Sequence, residues 1–186
     1  MSPLPAKPFW YLRHGETDWN AQNLAQGNVD IPLNATGVAQ AEKAGEILRK
    51  AGIAAIVSSP FARARRTAEI VAACLGLAAP IRIEPELREA AFGEREGQPM
   101  DAWFEAWIKG EATPEGAESF ASVRARAVCA LARVLSHPGP VLVVAHGSVF
   151  RALRAEMGLS PFERAPNGLP MFCSAPPPAW SVHPAQ

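Results

Sequence analysis

The stretch Val141-Leu142-Val143-Val144 is apolar at every position. A strand with one wet face would alternate, so an unbroken run fits a strand covered on both sides. Two more apolar runs, residues 9–12 and 53–57, read the same way. Each of the three ends in a turn or cap signal: Arg13-His14-Gly15, Ser58-Ser59-Pro60 and Ala145-His146-Gly147. Helical spacing fills the intervals. Ala39, Ala44, Ile47 and Leu48 form a stripe in a helix expected from a Thr36 cap to about residue 50, with Gly52 as its stop. Further helices are expected over 61–75 (stopped by Gly76), 119–135 and 149–157. Residues 20–35 read as loop, 81–83 as a short strand, and 85–118 as irregular with a short helix around 101–109. An edge strand is expected around 169–174, and Pro176-Pro177-Pro178 is expected to forbid regular structure beyond it. The alternation predicts an α/β fold, a mostly parallel central sheet with helices on both faces. With no repeat and no linker, one domain over residues 1–186 is expected, proline-rich from about residue 161.

Charge narrows the function class. The chain has 18 Lys plus Arg against 18 Asp plus Glu. Exact balance argues against nucleic acid as a partner, because such proteins work through bulk positive charge. No apolar run approaches a membrane span, and the N-terminus has no apolar leader core, so no membrane partner and a cytoplasmic location are expected. Cys74, Cys129 and Cys173 are far apart and odd in number, which fits buried thiols in a reducing compartment. Only 3 acids are Asp, and no Cys/His cluster occurs, so no metal and no cofactor are expected. Of the cations, 14 are Arg, the side chain that forks onto phosphate and carboxylate.

In sheets of this kind ligands bind beyond the carboxyl ends of the strands. His14 and His146 both follow an apolar strand and precede a glycine. An imidazole at such a point is a candidate nucleophile or anion ligand. The other two histidines, His137 and His183, stand before prolines in loops. Arg63 falls in the first turn of a helix, capped on this reading by the serines before Pro60; a cation there opposes the helix dipole, and a bound anion would resolve the conflict. Arg65 and Arg66 fit a solvated face. Glu89 lies in a charge-rich loop where Glu86, Glu94 and Glu96 are equivalent by composition.

The motifs, taken in order, resemble the histidine phosphatase superfamily, also called the phosphoglycerate mutase-like family. They are Leu12-Arg13-His14-Gly15-Glu16-Thr17 with Trp19-Asn20, then Gln26-Gly27, Asp30 and Pro32-Leu33, and Thr36, Gly37, Gln40 and Ala41. Ser58-Ser59-Pro60, Arg63-Ala64 and Thr67-Ala68 follow, then Leu87, Glu89, Gly93 and Glu96-Gly97, Glu118-Ser119, and finally Val144, His146 and Gly147. The resemblance implies that His14 is a phosphorylated nucleophile and that Arg13, Arg63 and a protonated His146 hold the phosphoryl oxygens. It implies that Asn20 adds a hydrogen bond to them, that Gln26 and Gly27 lie beside the substrate, and that Glu89 protonates the leaving group. Arg95 stands where an aromatic is common in the family, and Ala117 where a second glycine is. Arg95, Trp103 and Trp107 are candidates for the variable side of the pocket, although both tryptophans fit helix packing better. His146 follows Glu89 by only 57 positions, which favours the compact phosphatase branch over the longer mutases. The implied partner is a small phosphorylated substrate. A phosphoglycerate mutase, a ribazole-phosphate phosphatase and a non-catalytic phosphate binder are the alternatives.

Overall fold

The structure is a computed structural model that describes residues 4–176 and 179–185. Residues 1–3 of the N-terminus and two prolines of the 176–178 run lie outside them. The all-apolar run forms strand β4 (Val141–Ala145), buried at all five positions. It lies inside a six-stranded sheet whose other strands are β1 (Phe9–Arg13), β2 (Ala55–Ser58), β3 (Arg82–Ile83), β5 (Pro170–Ser174) and β6 (Ser181–Pro184). The order is β3-β2-β4-β1-β5-β6. β1 to β4 are mutually parallel, and β5 and β6 add on antiparallel beyond β1.

The two faces of β4 divide the core. Val141, Val143 and Ala145 join one apolar cluster with Trp107, Phe120, Leu131 and Phe150, carried by helices α4 (Ala102–Lys109), α5 (Phe120–Leu135) and α6 (Gly147–Glu156). Leu142 and Val144 join the other, against Leu48, Ala64 and Val71 from helices α2 (Ala35–Leu48) and α3 (Ala62–Leu75). This is the period-two division of a strand between two helical layers. A short helix, α1 (Asp18–Ala21), follows the first strand–loop junction and is held by a Thr17 capping box.

Three local expectations change. α2 starts one residue before Thr36, because the Asn34 side chain accepts from the Gly37 amide at 2.9 Å and so caps the helix. The 169–174 strand is not an edge. The chain returns after the prolines as β6, which pairs with β5 and takes the edge, where Pro184 costs no ladder bond. The thiols are all unpaired, but only Cys173 is buried; Cys129 is exposed and Cys74 half-buried. Among the described residues no helix is long and apolar enough to cross a membrane, and no group of three or more His, Cys, Asp or Glu gathers as a metal site.

Candidate active site

Parallel pairing of β1 with β4 puts Arg13 opposite Ala145, and the next amide, His14 N, donates to Ala145 O at 3.0 Å. The two histidines therefore leave neighbouring strands at one level, with ring centroids 5.2 Å apart. β2 flanks β4 on its other side, where Ser59 N donates to Val144 O at 2.9 Å. A cavity of about 180 Å³ opens beside these strand ends. Its lining includes Arg13, His14, Asn20, Gln26, Arg63 and Glu89. His146, fully buried, sits behind this surface, and Gly27 does not line it.

The histidines differ in what their nitrogens meet. His14 Nδ1 lies 2.7 Å from Gly15 O. A carbonyl only accepts, so Nδ1 carries the proton and the lone pair of the neutral ring is on Nε2. Burial and the adjacent charges of Arg63 and Arg13 hold the His14 pKa well below the usual histidine value. His146 Nε2 lies 2.6 Å from Ser59 Oγ, and that hydroxyl also accepts from Phe61 N at 3.3 Å. A hydroxyl oxygen accepts two bonds and donates one, so Ser59 can meet Nε2 in either sense; where it donates, the neutral ring carries its own proton on Nδ1. That Nδ1 is buried and has no partner. Burial, Arg63, His14 and Arg13 lower the His146 pKa too. The protonated His146 expected from the sequence is thus not the resting form here; a neutral ring still offers a donor. Tyr11 fixes its backbone, donating from its hydroxyl to His146 O at 2.7 Å and accepting from His146 N at 3.1 Å.

Each arginine is anchored by part of its guanidinium and leaves part free. Arg13 Nη1 donates to Ala165 O at 3.2 Å, while its Nε is buried without a partner. Arg63 donates to Val29 O and Gly27 O at 3.0 and 2.9 Å, and its Nε is likewise orphaned. A buried orphan donor costs roughly 1–3 kcal/mol, so two such guanidinium donors beside one cavity mark a place for an anion. The helix-start conflict posed by Arg63 has an internal answer. Asp30 accepts from Ala62 N at 2.8 Å and approaches Arg63 Nη1 at 3.4 Å, so the first turn of α3 carries its own anion. The serines do not cap α3. The chain runs on to Phe61 before the helix begins, and Ser59 is spent on His146.

Glu89 is the one carboxylate on the cavity wall among the described residues. Its Oε1 accepts from Ala90 N at 2.9 Å and its Oε2 from Ser148 N, in the first turn of α6, at 3.2 Å. Behind it, Arg126 donates to the carbonyls of Glu86, Arg88 and Glu89 and pairs through two nitrogens with Glu118. Its place on the cavity wall singles Glu89 out from Glu86, Glu94 and Glu96, which composition could not do. Asn20 Oδ1 is occupied by Thr17 N and by Asn167 Nδ2, at 3.3 and 3.1 Å, which leaves its Nδ2 toward the cavity side of the bonding scheme. Gln26 lines the cavity with a buried, unpartnered Oε1. Gly27 serves through its carbonyl, as a support for Arg63.

The proposed variable side lies elsewhere. Trp107 is fully buried and donates to Glu118 O at 2.8 Å; Trp103 donates to Pro99 O at 2.8 Å, with Arg95 over its ring. None of the three lines the cavity, whose outer wall is Phe92, Met100, Phe104, Arg151 and Arg164. Arg164 and Asn167 belong to the proline-rich segment, which is tied to the strand end where Gly168 N donates to Arg13 O at 3.1 Å. No spacing in the sequence marks these residues.

Comparison with known proteins gives the family. The family model described as histidine phosphatase superfamily (branch 1) matches residues 9–168. A phosphatase named PhoE from Bacillus subtilis is 39% identical over 148 residues, covering 78% of this chain and 75% of that one. A probable phosphoglycerate mutase, GpmB, from Proteus mirabilis is 38% identical over 150 residues, covering 74% and 68%. The structure of a mycobacterial glucosyl-3-phosphoglycerate phosphatase complexed with VO3 superposes with a TM-score of 0.82 at 29% identity, covering 96% of this chain and 98% of that one. With paired histidines at adjoining strand ends and a family match running from the first residue of β1 to the glycine that closes the site, the chain belongs to the histidine phosphatase superfamily.

Proposed function

We propose that the chain is a metal-independent phosphomonoesterase that turns over a small phosphorylated metabolite through a phosphohistidine at His14. The observation that carries this reading is the His14 bond to Gly15 O, which fixes the proton on Nδ1 and leaves Nε2 as the ring's nucleophilic atom. His14 Nε2 attacks phosphorus, and the P–O bond to the substrate's carbon-bearing oxygen breaks. That oxygen leaves with its electron pair and takes a proton from Glu89. Water then attacks the phosphohistidine, gives a proton to Glu89, and the P–N bond returns its pair to Nε2.

The transition state spreads charge over three phosphoryl oxygens, so fixed donors do most of the work. Arg13 Nε, Arg63 Nε and His146 Nδ1 are the unpartnered donors available for them, with Asn20 Nδ2 as a fourth. The anchored halves of the guanidinia hold these donors in place before substrate arrives. Hydrolysis is favoured over mutase chemistry by the short interval between Glu89 and His146, which leaves little chain to shield a phosphohistidine from water. Acid-quench trapping with a radiolabelled phosphate ester tests the reading. Label on the wild type, absent from His14→Ala, with release of inorganic phosphate insensitive to chelator, is the expected result. Phosphoglycerate interconversion much faster than phosphate release from any ester would overturn it in favour of a mutase.

A further inference from the structure

Among the donors that the proposed reading aims at the phosphoryl group, Asn20 has the weakest support of its own. It lies on α1, a helix of four residues, and one turn of helix is not stable by itself. Its capping-box bond, from Thr17 N to Asn20 Oδ1, is 3.3 Å long, beyond the usual range for an amide donor. A half-turn of the carboxamide would exchange its two ends and present an oxygen, not an N–H, to a bound anion.

The proline-rich segment supplies what α1 lacks. Asn167 Nδ2 donates to Asn20 Oδ1 at 3.1 Å and to His14 O at 3.0 Å, and Gly15 O lies 3.5 Å away. The carbonyl of His14 can only accept, so the end of the Asn167 amide that faces the nucleophile loop is its NH2. The same NH2 then requires an oxygen from Asn20. With Oδ1 held by two donors, Nδ2 is the end of Asn20 left for the cavity that this residue lines. An amide oxygen that accepts two bonds also polarises its own N–H groups into better donors. The sense of both carboxamides is thus dictated by backbone groups, Thr17 N on one side and His14 O on the other.

Asn167 is itself held from both flanks. Two residues before it, Ala165 O accepts from Arg13 Nη1 at 3.2 Å; one residue after it, Gly168 N donates to Arg13 O at 3.1 Å. Gly168 has a φ of +66°, and a Cβ there would come 2.5 Å from Gln40 Cβ, so the turn that presents Asn167 fits against α2 only as glycine. Residues 165–168 are therefore closed around Arg13 and His14, although Asn167 does not line the cavity.

We infer that Asn167 is a positioning residue for phosphoryl transfer: from the proline-rich segment it turns the Asn20 N–H toward the phosphoryl oxygens and ties that group to the loop bearing His14. The inference rests on the proposed reading only in that Asn20 meets the phosphoryl group. It gives the segment after α6 a part in the chemistry that no motif in the sequence marks.

Inorganic phosphate is the probe, because its binding needs no turnover. Calorimetric titrations compare wild type, Asn20→Ala, Asn167→Ala and the double variant. Each single variant is expected to bind phosphate roughly 3- to 10-fold more weakly, the scale of one hydrogen bond. The double variant should lose far less than the product of the two losses, because Asn167 acts through Asn20. Losses that multiply, unchanged affinity in Asn167→Ala, or no phosphate binding by the wild type would overturn the inference. Spectra of nitrogen-15-labelled protein give a signature that packing alone does not move. Saturating phosphate should shift the Asn20 side-chain amide in wild type, and the shift should shrink in Asn167→Ala. Should that variant fail to fold, the wild type decides: Asn167 side-chain protons that exchange as fast as those of a free amide overturn the inference, and slow exchange sustains it. The two proposals fail separately. Acid-quench trapping without a phosphohistidine removes the proposed reading while a coupled Asn20–Asn167 pair still stands; label on His14 beside losses that multiply does the reverse.

Discussion

The floor of the cavity draws on the ends of β1, β2 and β4, whereas its rim draws on α4, α6 and the loop between α6 and β5. On the floor, Arg63, His14 and His146 are each braced by hydrogen bonds. Arg63 rests on two loop carbonyls, His14 on Gly15 O, and His146 on Ser59 and Tyr11. On the rim, contacts are fewer and looser: Arg151 has one carbonyl and one ring, and Arg164 is exposed. On the proposed reading, the floor is the part that acts on the phosphoryl group and the rim the part that meets what is attached to it.

The sharpest way to break that contrast is at the floor. His14→Ala is expected to reduce turnover of every phosphate ester by roughly 10⁴-fold or more, since it removes the atom that forms the intermediate. A floor substitution that spared one ester while abolishing another would merge the two parts. Arg63→Ala should cost on the order of 10²–10³-fold in kcat for all esters, because one preorganised donor set is lost. It also frees the carbonyls of Gly27 and Val29, so Arg63→Lys, which keeps charge but not the fork, should fall between.

Glu89→Gln sharpens the contrast by leaving group. With alkyl phosphates the loss should be about 10²–10⁴-fold, and with p-nitrophenyl phosphate far smaller, because a nitrophenolate departs without a proton. Equal losses for both would remove Glu89 as the proton donor. At the rim, Arg95→Ala should change kcat/KM by less than about 2-fold for any ester, since Arg95 lies outside the cavity wall and its guanidinium lies over the Trp103 ring.

The smallest expected effect concerns pH and the floor alone. The native pKa values of His14 and His146 are lowered, while the unfolded chain takes up protons near the ordinary ~6.5. As pH falls through that value the unfolded state binds protons that the native rings refuse. The stability owed to the neutral rings is therefore complete above about pH 7 and is lost on acidification. The slope should reach up to ~1.4 kcal/mol per pH unit for each histidine. Denaturant titrations at several pH values would show it, and His14→Asn with His146→Asn should flatten it. A slope unchanged by those substitutions would mean that the rings are not held neutral by the fold.

The same division governs what can be read without coordinates. Arg13, His14 and His146 lie in short motifs at strand ends, which apolar runs and glycines mark; Arg63 follows a strand end by one helix start, and Glu89 stands out only through the family resemblance. The parallel sheet follows from the all-apolar β4. Arg151 and Arg164 carry no such mark, because their relation to the cavity depends on how α6 packs and on where the following loop is pinned. Asn167 is similar: its amide reaches His14 O and Asn20 Oδ1 from far along the chain. Strand β6 was hidden by the prolines before it. Pro184 reads as a breaker, yet sits at the end of the edge strand, where the sheet tolerates it. Trp103 and Trp107 pack on the α4 side of the core, which is the reading their place in a helix favours.

Gly15 and Gly37 meet backbone to backbone, so that a Cβ on Gly15 would overlap the carbonyl of Gly37 and one on Gly37 would overlap Glu16. The loop that bears His14 is thereby keyed to the first turn of α2 with no side chain between them. Over evolutionary time this joint has no slack. Neither partner can drift by a small substitution, and α2 cannot be displaced without carrying the nucleophile with it.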